Sequence, residues 1–253
     1  MLFCANIKAQ HFTHDIGIYA GFSSLQADYG QRGDFASSFD NTGISVTVAH
    51  YLHFFNRDRR WSAKDGIHDH LMIKSEINYI GNTNLQHFGK FAKANTPEGE
   101  KLRAMTGSVS MLNFGVNLEY YLNGLEEFIY PFSETNWNPY LSFGGRYVIF
   151  NNTLNSTLGD WVTDRSVLPA KYRPNNATVI GRGSAFAIVF GGGLRFKLTE
   201  NLDLSSLISY QFFFSDEIDG LTASVGENEN DERLINFQFG IVYHLNFSAP
   251  LFR

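Results

Sequence analysis

The 253 residues are enough for one large all-β domain or two small ones, and with 43% hydrophobic and 18% charged residues they exclude intrinsic disorder. A formal net charge of −5 excludes the basic stripe that a nucleic-acid partner requires. Mean hydropathy is −0.18 and no apolar run is long enough for a membrane-spanning helix. Aromatic residues reach 15%, with 24 Phe and 12 Tyr beside 23 Gly, a mixture suited to strands and tight turns.

The opening segment, residues 1–10, has the look of the tail of a secretory signal peptide, with cleavage near Ala9-Gln10 and a single domain over residues 11–253. Cys4 is the one cysteine, so a mature chain from about residue 11 holds neither a disulfide nor a thiolate nucleophile.

Period-2 alternation then begins and recurs along the chain. Ile16, Ile18, Ala20 and Phe22 oppose Asp15, Gly17, Tyr19 and Gly21. From about Gly43 to Phe55, Ile44, Val46, Val48, Leu52 and Phe54 oppose Ser45, Thr47, Ala49, Tyr51 and His53. Strict alternation aims His50 at the apolar side, and a β-bulge turning it inward is the expected remedy. A third strand sets Leu71, Ile73, Ile77 and Tyr79 against Lys74, Glu76 and Asn78; a fourth sets Leu112 through Tyr120 against Asn113 through Glu119. Leu141, Phe143, Tyr147 and Ile149 mark a fifth, Phe186 to Phe196 a sixth, Ile208 to Phe214 a seventh, and Ile235 to Phe247 an eighth.

The connections alternate too. Those near residues 23–42, 82–106, 151–183 and 216–232 are long and polar, whereas those near 56–69, 123–138 and 199–201 are shorter on average. Long outer loops alternating with short periplasmic turns are the signature of a membrane barrel. The pattern predicts an all-β, up-and-down antiparallel transmembrane β-barrel of about eight strands, or ten if 151–183 contributes a hairpin.

Which face meets lipid is decided by the polar one. It carries Gly, Ser, Asn and Gln with few charges, whereas a water-washed surface would be dominated by Lys and Glu. Lys74, Glu76, Glu119, Arg146, Arg195, Lys197 and Asp203 are therefore expected inside as a paired charge network, since a lumen of this size is just filled by its own side chains. No wide pore is expected.

The chain resembles small Bacteroidota outer-membrane barrel proteins, some of which carry a glutamate dehydrogenase label. The resemblance rests on His14-Asp15-Ile16-Gly17, on the run from Ala27 to Asp34, on Asn41-Thr42-Gly43, His50-Tyr51-Leu52 and the run from His87 to Lys90. Leu102 to Met105, Ser156 to Gly159 and Phe214-Ser215-Asp216 extend it. It implies a bacterial outer-membrane location and a barrel fold, and implies no activity. Dehydrogenase chemistry would need a strand, a glycine loop and a helix to hold a pyrophosphate; Gly181-Arg182-Gly183 and Gly191-Gly192-Gly193 lack the helix.

Other chemistry is thin. Ser23, Ser24, Ser215 and His87 could supply a rim Ser–His pair for an outer-leaflet lipid-modifying enzyme, and rim serines are common in barrels. His68, Asp69 and His70 offer two imidazoles and a carboxylate without a fourth metal ligand. Asp216, Asp219, Glu227, Glu229 and Asp231 form an acidic loop, read first as solvated and second as a divalent-ion bridge to lipopolysaccharide. No catalytic residue, metal or cofactor is expected. Expected partners are outer-membrane lipid, lipopolysaccharide and other outer-membrane proteins, in a structural or interaction role; a lipid-modifying enzyme and a narrow channel are the alternatives.

Overall fold

A computed structural model of the chain describes residues 11–29, 41–53, 66–125, 128, 136–223 and 232–250. Eight antiparallel strands follow one another around a closed barrel: β1 (His11–Gln26), β2 (Thr42–His53), β3 (Leu71–Gln86), β4 (Met105–Tyr121), β5 (Trp137–Ser156), β6 (Gly181–Lys197), β7 (Leu202–Phe213) and β8 (Arg233–Pro250). Pairing of β1 with both β2 and β8 closes the sheet, leaving no edge with unpaired backbone groups.

Register fixes the tilt. A path across the strands from Ile16 passes His50, Ser75, Val116, Gly145, Ile188, Phe212 and Arg233 and meets β1 again at Gln26, ten residues further along. That stagger gives strands inclined to the barrel axis by roughly 35–45°.

Side-chain exposure decides which face is outside. Ile18 is 55% exposed, Phe22 67% and Phe239 70%, while their neighbours Tyr19 and Gln238 are each 1% exposed. The outer wall is Ile, Val, Leu and Phe on every strand. Tyr120, Trp137, Phe196 and Tyr243 gird one end, and Tyr79, Tyr147 and Phe212 belong to the other. A continuous apolar wall with aromatic girdles is stable only in hydrocarbon.

The structure corrects the sequence reading in three places. The connection 157–180 contains single 3-10 turns at Arg165–Val167, Ala170–Tyr172 and Asn175–Ala177 and one isolated bridge, Thr178 to Leu221, so the count is eight and not ten. Several strands outrun the expected ends, β4 beginning at Met105 and β5 reaching Ser156. His50 lies in unbroken register between Ile16 and Ser75 and points outward; no bulge turns it in. A stacked, hydrogen-bonded partner, His14, stabilises it there instead.

The end carrying the long connections is capped. Helices α1 (Lys90–Lys93) and α2 (Pro97–Ala104) join β3 to β4, with Thr96 Oγ1 accepting the Gly99 N–H at 3.1 Å to start α2. Arg165 donates to the carbonyls of Arg173 and Pro174 and to Thr178 Oγ1, and so staples the β5–β6 connection upon itself. Glu98 accepts the Ala170 N–H at 2.7 Å and ties that connection to α2.

Candidate functional site

Inward-facing side chains fall into three strata along the lumen, each assembled from several strands that the register brings together. The stratum at the short-connection end is ionic. Asp15 accepts from His53 Nε2 at 2.6 Å and from His244 Nδ1 at 2.9 Å, and His244 Nε2 reaches Asp203 at 2.9 Å. Arg195 stands between the two carboxylates, 3.5 Å from Asp15 and 3.9 Å from Asp203, with its guanidinium 4.7 Å from the Tyr51 ring and 5.3 Å from that of Tyr121. Further up, Lys74 lies 2.9 Å from Glu76 and 3.9 Å from Glu119. Arg146 donates to the same Glu76 carboxylate through Nε at 2.9 Å and through Nη2. In a low-dielectric lumen these charges persist because each faces an opposite one.

The middle stratum is an amide chain. Arg146 donates to Gln211 at 2.7 Å, Gln211 to Asn113 at 3.3 Å, Asn113 to Asn78 at 2.9 Å, and Asn78 to Ser45 and Thr47, each at 2.8 Å. Gln238 donates to the same two hydroxyls.

The third stratum, at the capped end, is apolar, which the sequence reading of a polar lumen did not anticipate. Leu25, Ile80, Met111, Val148, Phe150, Phe213 and Leu234 point inward and pack against Tyr29, Leu168, Tyr172, Ile218 and Leu221 from the connections. Barrel and cap therefore share one hydrophobic core.

Of the residues singled out in the sequence, Lys74, Glu76, Glu119, Arg146, Arg195 and Asp203 are buried together in the lumen. Lys197 is half-buried at the rim, its Nζ 5.4 Å from the Phe128 ring. Asp15, His53, His244 and the four tyrosines 19, 51, 121 and 140 were missed as members. Their signal was present: all fall on the polar phase of their strands, but neutral rings and lone histidines do not advertise a charge partner.

The acidic loop divides. Glu227, Glu229 and Asp231 lie outside the described residues. Asp219 is not solvated: it is fully buried, accepting the Asp28 N–H and the Leu221 N–H at 2.8 Å each, while its own N–H donates to Glu232 at 3.4 Å. These bonds clasp the β1–β2 and β7–β8 connections. Among the described residues no group of three or more His, Cys, Asp or Glu is arranged to hold a metal ion. Of the rim candidates, Ser23 and His87 are engaged with other partners. Ser23 faces the lumen and donates to Asn236, whereas His87 is buried against the Tyr29 ring, their centroids 4.6 Å apart. Burial holds His87 down to about 3, so its imidazole is neutral. His70 is spent on the Tyr121 carbonyl at 2.7 Å, and Asp69 on the Gly66 N–H.

The clasp has a pH signature. Burial, with Asp28 nearby, pushes Asp219 up to about 8, and burial beside Asp219 raises Glu232 well above the carboxylate range. Because the folded cap prefers both groups protonated, the stability they give is complete in acid. The share of Asp219 falls as pH rises past the ordinary carboxylate range and is lost above about pH 8, and that of Glu232 is lost as pH rises through its own raised range. Hydrogen exchange at the Leu221 amide is expected to accelerate over that interval, and Asp219→Asn to flatten the dependence; an exchange rate that follows only the intrinsic pH trend would refute the clasp.

No family model matches the sequence, and no curated protein matches it. Solved structures do. A major outer membrane protein from Thermus thermophilus is 11% identical with a TM-score of 0.51, the match covering 92% of this chain and 99% of that one. Neisserial surface protein A is 12% identical at a TM-score of 0.47, covering 92% and 97%. The outer membrane protein OprG of Pseudomonas aeruginosa is 12% identical at 0.41, covering 95% and 99%. The Thermus match shows a shared fold, and with the apolar wall it places the chain in a bacterial outer membrane.

Proposed function

We propose that this chain is a sealed, non-catalytic barrel that serves as a structural or interaction component of the envelope of a Gram-negative bacterium, of the Bacteroidota type that its sequence resembles. In its specific form it is a subunit of a larger outer-membrane complex, exported by a signal segment ending near Gln10. The long connections face outside and meet lipopolysaccharide and neighbouring proteins. The observation that carries this reading is the filled lumen: ionic, amide and apolar strata succeed one another along it, and the cap shares the last of them. A barrel used as a conduit would leave part of that section to water. The enzyme alternative has less support, since Ser23 and His87 have other partners.

Two measurements test it. Purified barrel in planar bilayers should give no unitary conductance steps; reproducible openings would make it a channel. Purification from native membranes in mild detergent should yield a stable multiprotein complex. A monodisperse monomer would remove the subunit form, and release of acyl chains from lipid A would replace the whole reading with the enzymatic one.

A further inference from the structure

The apolar wall is interrupted inside the hydrocarbon zone. Eight steps across the sheet from Ile16 rise to Gln26, ten residues further along β1, so each step climbs about 3 Å towards the capped end. The girdle residue Tyr243 is one step below Ile16, His50 is one step above it, and Ser75, register partner of His50, is two. His50 thus lies about 6 Å, and Ser75 about 9 Å, inside the aromatic girdle. Both side chains face outward. Among the described residues His50 has one hydrogen-bond partner, His14, which meets its Nε2 at 2.9 Å, and Ser75 has none. The second ring nitrogen of His50 and the hydroxyl of Ser75 therefore stand side by side where lipid tails supply neither donor nor acceptor. Polar groups at that depth are costly, and in membrane spans they face protein or water rather than lipid. Beside them the wall is dented by a groove of about 500 Å³ lined by Val48, Ser75, Ile77 and Phe114 among others.

We propose that this face joins two copies of the chain within the membrane, each His50 bonded through Nδ1 to Ser75 of the other copy. Two copies in one membrane share one orientation, so their two-fold axis runs along the membrane normal and every residue meets groups near its own depth. An axis passing between His50 and Ser75, which differ in depth by one step of about 3 Å, makes the contact reciprocal. A hydroxyl both donates and accepts, so Ser75 satisfies Nδ1 in either tautomer of the ring, and no further N–H is asked of His14. Ser75 is also the small side chain that lets two walls approach, and the dent receives Val48 and Ile77 of the second copy, each about half exposed in the single barrel. A lipid tail fills the dent but leaves both polar groups unpaired. A different barrel has to present matching groups at the same two depths, whereas a second copy presents them by symmetry. Dimerisation is independent of whether the lumen is sealed and of whether other proteins join the wall elsewhere.

The test is energy transfer between full-length copies, labelled with donor or acceptor dye at the amino terminus and folded together into phosphatidylcholine liposomes. Transfer should saturate with protein density and vary linearly with acceptor fraction, the dependence of a dimer. His50→Leu and Ser75→Ala each remove both reciprocal bonds and should weaken association about tenfold. Ser75→Phe, which blocks close approach, should leave monomers. Phe239→Leu, on β8 well round the wall, should associate as wild type. Heat-modifiable migration confirms that each variant is folded; should Ser75→Phe not fold, His50→Leu and Ser75→Ala decide. Transfer no greater than random mixing for wild type, equal association of wild type and His50→Leu, a higher oligomer, or a different protein that is lost from native membranes on His50→Leu would each overturn the proposal.

Discussion

Glu76→Ala is expected to cost about 3–5 kcal/mol of folding stability, the range for breaking a buried ion pair by removing one member. The Glu76 carboxylate is the common partner of Lys74 and Arg146, all three being buried within the lumen. Without it two cations remain there, and the nearest other carboxylate to Lys74 is Glu119 at 3.9 Å. Urea unfolding in micelles, followed by heat-modifiable mobility, measures the loss. Removing the charge opposite should recover most of it: in Glu76→Leu with Arg146→Met the carboxylate and one cation leave together, and Lys74 keeps Glu119. If the double variant is as unstable as the single one, buried charge imbalance is not what the network prevents.

Gly21→Val is expected to abolish folding and Gly21→Ala to cost at least about 1–3 kcal/mol, the usual range for forcing atoms into a filled site. A β-carbon on Gly21 would collide with the Phe237 carbonyl, a backbone atom of β8. The clash falls on the β1–β8 pairing that closes the barrel, so relief requires opening the seam. Gly145 is the matched control. It faces outward, and a β-carbon there would meet nothing nearer than the Ala187 carbonyl at 3.9 Å, so Gly145→Ala should fold and migrate as wild type. Equal yields of folded Gly21→Val and Gly145→Ala would show that the seam tolerates displacement.

Much of the architecture was legible in the residues. A strand has a side-chain period of two, and a membrane barrel gives its two faces opposite solvents, so the alternation around Ile16, Val48, Phe114 and Phe237 specified strands and facing, and left their number between eight and ten for the structure to decide. The charges on the polar phase could be assigned to the lumen for the same reason. Where they meet could not be read. Asp15 and Arg195 lie far apart in sequence and are joined only because closure and a ten-residue stagger carry β6 and β1 to one level.

Alternation also breaks down where both faces are apolar. Near the capped end Met111, Val148 and Phe213 look inward although they are hydrophobic, because the connections fold over the opening and supply a second apolar surface. The sequence reading took residues 82–106 and 151–183 as long polar connections and so ended β4 and β5 early on that side, where Ser108, Ser110, Asn151 and Thr153 continue the strands. His50 shows the converse: period two aims it outward, a penalty for a polar ring in lipid suggested a bulge, and the unbroken ladder with His14 alongside decided for the period. By itself, then, the order of residues determined the barrel and its inside-out polarity, which depend on local periodicity. The stratified lumen, the acidic clasp at Asp219 and the histidine pair arose only from closure, because pairing energy between distant charges and rings depends on register and on which loops cover which end.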